Sequence, residues 1–133
     1  MYKTVWVREM IEDGARLLQK LERVIPISAF AWFEDPDLGA WKLVVVTSVA
    51  STPGPSEAYM KIQFAMNGLD LGIALDDIVV MSPYSRKFEE FKRTMEGVAK
   101  GSLLHPRNSG EGIAFDDAYV YRWLTNFTGV PFE

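Results

Sequence analysis

Two short runs, LVVV at Leu43–Val46 and IVVM at Ile78–Met81, are apolar at every position. A strand with one face in water alternates apolar with polar residues, so an unbroken apolar run reads as a strand covered on both faces. The first run is therefore expected at the centre of its sheet. Between the runs, the breaker ASTPGPS is followed by Tyr59, Ile62, Ala65, Met66 and Leu69 at helical spacing, with Ser56 as the expected N-cap and a stop near Asn67-Gly68. That helix has the length of a crossover, and strand-helix-strand crossovers are right-handed in nearly every known case. A chain that keeps moving in one direction across the sheet lands its second and third helices on the same face. The opposite face then needs cover from the first helix or from another subunit.

The flanking segments extend the pattern. From Val7 to Ile25, the residues Val7, Ile11, Leu18, Leu21 and Ile25 form an apolar stripe opposite Arg8, Glu12, Arg16, Gln19 and Arg23, which predicts an amphipathic helix ended by Pro26. Gly14 weakens that helix by about 1 kcal/mol relative to alanine, and so marks a place of close packing. The stretch ISAFAWFEDPDLGAWKLVVVTS reads as a hairpin turning at Asp35-Pro36-Asp37-Leu38-Gly39. Ser82-Pro83 is expected to cap a third helix whose buried stripe is Tyr84, Phe88, Phe91 and Met95, closed by Gly97. The remainder reads as a short strand, a polar loop from His105 to Gly112, and a hairpin or long bent strand ending near Leu124. The expected fold is α+β (or α/β), in the order α-β-β-α-β-α-β-β. Three amphipathic helices accompany a single mixed sheet of five to six strands, in one globular domain spanning 1–133.

Composition narrows the function. With 48% hydrophobic and 24% charged residues among 133, the chain can fold without a staple. It contains no cysteine and one histidine, His105, which excludes disulfide frameworks, cysteine nucleophiles, thiolate metal sites and multi-histidine centres. The net charge of −4 supplies no general attraction to nucleic acid or to an anionic membrane. The basic pairs Arg86-Lys87 and Lys92-Arg93 are diluted by Glu89, Glu90 and Glu96. The N-terminal MYKTVWVREMIEDGARLL lacks the pattern of a secretory signal, and no apolar run approaches the ~20 residues that span a bilayer. A cytoplasmic protein, with neither a membrane nor nucleic acid as partner, is expected.

In GIAFDDAYVYRWL, Gly112–Leu124, the rings of Tyr119, Tyr121 and Trp123 fall on every second residue, and Phe30 and Trp32 alternate in the same way on the first strand. Such a face is either core beneath the first helix, a homodimer contact, or a platform that grips a ligand. Acidic neighbours at Glu111, Asp116 and Asp117 argue against stacking on bases.

The carboxyl edge of the parallel strands is the candidate ligand site, because α/β sheets bind there. Two loops should meet at that edge. One is Ser48–Ser56, with Ser51 and Thr52 as hydroxyl donors; the other is Ser82–Lys87, in which Ser82, Ser85, Arg86 and Lys87 suit an anion at a helix start. Neither loop carries GxxxxGK[ST] or GxGxxG. No metal or cofactor is expected, since the carboxylates Glu34, Asp35 and Asp37, Asp76-Asp77 and Asp116-Asp117 all lack an EF-hand spacing. His105 precedes PRNSGEG, and Ser102 or Ser109 lies near it, but no GxSxG elbow is present.

Pro36-Asp37 with Glu90-Phe91-Lys92 resembles the PD...(D/E)xK signature of restriction-enzyme-like nucleases. That family carries its ExK on a strand, whereas Glu90 and Lys92 fall in a segment read here as helix. Two expectations remain. One is a non-enzymatic interaction module acting through protein contacts, as a homodimer or with another protein. The other is a binder of, or enzyme on, a small phosphate or carboxylate ligand at the carboxyl edge.

Overall fold

The computed structural model describes residues 2–35, 40–101, 107–108, 113–114 and 118–123, with side chains described at 9–34, 40–95 and 118–123. Three helices, α1 (Tyr2–Leu21), α2 (Pro55–Asn67) and α3 (Arg86–Gly101), pack on a single mixed sheet. The body of the sheet is four strands, β1 (Ala29–Asp35), β2 (Ala40–Val46), β3 (Ile78–Met81) and, last in the chain, β6 (Ala118–Trp123). Two-residue stubs, β4 (Arg107–Asn108) and β5 (Ile113–Ala114), pair beyond β6, so the strands lie in the order β3-β2-β1-β6-β5-β4. Among the described residues no helix is long and apolar enough to cross a membrane.

The LVVV run is central, as its composition requires. β2 pairs antiparallel with β1, from Ala29 opposite Val46 to Asp35 opposite Ala40, and parallel with β3, from Leu43 opposite Ile78 to Val46 opposite Met81. Leu43 and Val45 face one core with α1 and α2; Val44 and Val46 face another with α3. Both halves of the run are buried, which is why no polar residue interrupts it. β3 forms one edge of the sheet, and its outward backbone groups are covered by Tyr59 of α2, whose hydroxyl donates to Ile78 O at 3.3 Å and accepts from Val80 N at 3.2 Å. An open edge is a template for foreign strands, and this ring closes part of it.

The helices are not distributed as one-way travel would place them. α1 and α2 share the first face and α3 lies on the second. The chain moves from β2 outward to the edge at β3 and then reverses, crossing the sheet towards β4. A crossover of the same hand travelling in the opposite direction lands on the opposite face.

Several helix ends differ from the sequence expectation. α1 ends at Leu21, and residues 22–25 form a turn in which Val24 N and Ile25 N both reach Leu21 O; Pro26 disfavours helical backbone at the residue before it. α2 takes Pro55, not the residue after Ser56, as its first position, and its cap is Gly54 with a φ of 143°, a region that side chains avoid. α3 starts at Arg86, three residues beyond Pro83. Its cap is Ser85, whose Oγ accepts from Phe88 N at 3.1 Å while its carbonyl takes the first helical bond from Glu89 N. Ser82 caps only the preceding turn, through Tyr84 N at 3.0 Å, and Gly97 lies inside the helix. Tyr84 consequently points outward, 79% exposed, and the buried stripe is Phe91 and Met95 with Phe88 beside it. Ser85→Ala should therefore cost about 1 kcal/mol in urea denaturation, whereas Ser82→Ala should cost less.

Candidate functional site

The aromatic face is interior. Phe30, Trp32 and Tyr119 are buried beneath α1, with Tyr121 packed at their margin. Tyr119 and Tyr121 meet edge to face at 5.0 Å, and Phe30 and Tyr121 do so at 5.4 Å. Two polar tips tie this layer to the helix above. Trp32 Nε1 donates to Met10 O at 3.0 Å, and the Tyr121 hydroxyl lies 2.6 Å from Ile11 O and 3.3 Å from Met10 O. The close approach is made at Gly14, where an added Cβ would fall 2.8 Å from Tyr121 Cζ, nearer still to its hydroxyl, and 3.0 Å from Trp32 Nε1. The weak helix position noted in the sequence is thus the seat of the two rings. Arg122 closes the end of this layer by pairing with Glu22, just past α1.

Trp123 does not belong to that face. β6 pairs Trp123 with Ala29 and Arg122 with Phe30, but Val120 with Ala31, so Tyr121 is the extra residue of a β-bulge. The bulge resets the alternation, and Trp123 packs with Phe88 and Phe91 of α3 on the second face. The sequence pattern of three rings on every second residue therefore divides between two cores.

The two expected loops start from neighbouring strand ends at the carboxyl edge. β2 and β3 are parallel neighbours, and Thr47 N donates to Met81 O at 3.0 Å where both strands end. From there β2 leads to α2 on the first face and β3 to α3 on the second, so the connections diverge as they do at a topological switch point. Ser51, Thr52, Arg86 and Lys87 are exposed at this edge. Ser82 and Ser85 are partly withdrawn by local bonding, since the Ser85 hydroxyl also donates to Ser82 O at 2.8 Å. Thr47, fully buried, spends its Oγ1 on Val49 N at 3.2 Å.

The remaining chemical candidates are dispersed. Asp77 caps a short 3-10 turn by accepting from Ala74 N at 3.0 Å, and Lys42 Nζ donates to Asp76 O at 3.1 Å. Asp13 of α1 accepts from Gly72 N at 2.9 Å and holds the loop after α2 to the first helix. Among the described residues no group of three or more histidine or acidic side chains stands close enough to hold a metal ion. Glu90 and Lys92 lie on α3, and Lys92 Nζ sits 5.7 Å from the Phe88 ring centroid. Helical placement separates them from the strand-borne ExK of the nuclease signature. Asp37, Ser102, His105, Ser109, Glu111, Asp116 and Asp117 lie outside the described residues.

A surface that the sequence reading passed over lies between α1 and α2. Lys20, Val24, Lys61, Phe64 and Ala65 line an open groove of about 250 Å³. Val24, Met60 and Phe64 are 57%, 48% and 71% exposed. The signal was present in the sequence: Met60 and Phe64 are four apart on α2 and fall opposite its buried Ala58, Ile62 and Ala65. Comparison of the chain with protein-family models, with curated proteins and with solved structures returned no match.

Proposed function

We propose that this chain is a non-enzymatic interaction module acting through protein contacts, with the α1–α2 groove as its contact surface. The observation that carries the reading is Phe64, an aromatic ring 71% exposed beside exposed Val24 and Met60. Single apolar side chains on a surface need no explanation, but a contiguous group around a concavity is what a binding surface presents. The rings of the aromatic sheet face pack against α1 and α3 of the same chain, which directs attention to the groove. A second copy is one partner that such a groove can take, and sedimentation equilibrium tests that form directly.

Replacing Phe64 by the photo-crosslinker p-benzoylphenylalanine in cells, with Thr94, exposed on α3, as the control position, tests the reading. The expected result is a discrete adduct at position 64 that is absent at 94. Identical adduct patterns at both positions, or none at 64, would sink it.

One observation favours a second reading, a small phosphate or carboxylate ligand at the carboxyl edge. The connections after β2 and β3 diverge in the topology at whose carboxyl end α/β sheets hold ligands, and Arg86 and Lys87 are exposed in the second of them. At 100 times its dissociation constant such a ligand adds about 2.7 kcal/mol of stability. A thermal shift with nucleotides, sugar phosphates or carboxylates that disappears in Arg86→Ala with Lys87→Ala is the expected result; an undiminished shift in that double variant places the ligand elsewhere.

A further inference from the structure

We infer that the groove between α1 and α2 receives an acidic protein segment bearing one large apolar side chain, its carboxylates set against Lys20 and Lys61. The inference rests on the reading of this groove as a contact surface and adds what occupies it. Size sets the first limit. At about 250 Å³ the groove lies below the roughly 300–1,000 Å³ in which drug-sized ligands bury most of their surface, yet it admits one large side chain. A single anchor seated among apolar walls is how a protein segment, rather than a cofactor, uses such a space.

Charge sets the second limit. The walls are Val24, Phe64 and Ala65, and among the described residues the charged groups lining the groove are both ammonium groups, in a chain whose net charge is −4. The Lys20 ammonium is placed over Gly68 at the C-terminal end of α2, where an added Cβ would collide with Nζ. That end of a helix carries partial negative charge and favours a cation there. Lys61 stands 3.5 Å from Glu57 in an exposed pair, an interaction weak enough for an incoming carboxylate to share. A second copy of this chain fits less well, because an isologous contact centred on Phe64 sets the same two lysines of each copy against one another. An anionic membrane is disfavoured by the overall negative charge.

The test uses three synthetic peptides: one with a single tryptophan flanked by glutamates, its Glu→Lys twin, and its Trp→Ser version, each titrated by fluorescence anisotropy at low salt. The expected result is about a tenfold preference for the acidic peptide over its basic twin, equivalent to about 1.4 kcal/mol. That preference should invert in Lys20→Glu with Lys61→Glu, and binding should be lost both with the Trp→Ser peptide and with the Phe64→Ser protein. All three side chains are at least partly exposed, so the variants should fold, which circular dichroism checks. Equal binding of the two charged peptides, or an order unchanged in the double lysine variant, overturns the acidic occupant while a crosslink at position 64 still supports a contact surface. Binding to phosphatidylserine vesicles without binding to the acidic peptide overturns it in favour of a membrane. No peptide binding together with no crosslink at 64 removes both readings.

Discussion

Trp32→Ala is expected to remove about 3–5 kcal/mol of folding stability, out of the ~5–15 kcal/mol a domain of this kind possesses. The ring is only 3% exposed, lies in the core shared by α1, α2 and the sheet, and donates from Nε1 to Met10 O at 3.0 Å. Truncation removes the transfer energy of a large ring, leaves a cavity beneath the helix and deletes a buried hydrogen bond. Met10 O keeps the Tyr121 hydroxyl 3.3 Å away, so the carbonyl is not stranded and the loss is chiefly one of packing. Had this ring belonged to a dimer contact, the same substitution would dissociate subunits and leave each fold intact. Urea denaturation followed by far-ultraviolet circular dichroism separates the two cases. The expected result is a large drop in midpoint that does not depend on protein concentration; a loss below about 1 kcal/mol, or a midpoint that rises with concentration, contradicts the buried placement.

Gly14→Ala tests the same interface with the opposite expectation from local propensity. In an exposed helix the change stabilises by about 1 kcal/mol. Here the new methyl group meets Tyr121 Cζ at 2.8 Å and Trp32 Nε1 at 3.0 Å, as well as the Tyr121 hydroxyl. These atoms are not free to swing away, since the hydroxyl is held by the Ile11 and Met10 carbonyls and the indole by Met10 O. Overpacking of this kind costs about 1–3 kcal/mol, and the steric cost should outweigh the propensity gain. Tyr121→Phe alone should cost about 1 kcal/mol through the lost hydrogen bonds. In that background Gly14→Ala should be distinctly less damaging, because the atom nearest the new Cβ is gone; coupling of about 0.5–3 kcal/mol is usual for residues in contact. Net stabilisation by Gly14→Ala in the wild-type background, or additive costs in the double variant, would show that α1 does not sit on these rings.

Much of the fold was legible because its signals are local. Leu43–Val46 announces a strand buried on both faces through composition alone, and β2 lies between β1 and β3 with alternate residues in two cores. The stripe of α2 follows from helical periodicity: Ile62 and Ala65 are buried, and Tyr59, Met66 and Leu69 pack partly buried against the same core, while Ala58, outside the expected stripe, is buried as well. Gly14 was visible as a weak helix position in need of a reason. Helix starts were less legible: Ser82-Pro83 and Ser85 compete as caps for one helix, and the turn that Ser82 closes through Tyr84 N moves the helix start to Arg86. Both serines have the chemistry of a cap, so the choice depends on where the chain leaves β3.

The candidate sites were less legible still. The divergence of the loops after β2 and β3 required the reversal of direction at the sheet edge, a property of strand order rather than of either loop. Tyr59 reads as one more apolar residue of α2 until its hydroxyl is seen on the outer edge of β3. Phe64 and Met60 read the same way until their helix is oriented, when both prove to lie outside, with Phe64 on the wall of the groove.

Periodicity and composition were sufficient for three helices where apolar residues recur at helical spacing, for a central strand where they never lapse, and for the antiparallel pairing of β1 with β2. They act between neighbours in the chain and survive without knowledge of the rest. The assignment of α3 to the opposite face, the seating of Trp32 and Tyr121 under Gly14, and the passage of Trp123 into the second core came only with the tertiary structure. Each of these depends on residues far apart in the chain; a bulge at Tyr121 changes the face of everything beyond it, and no count of alternating residues within β6 registers the insertion until the opposing strand is in place.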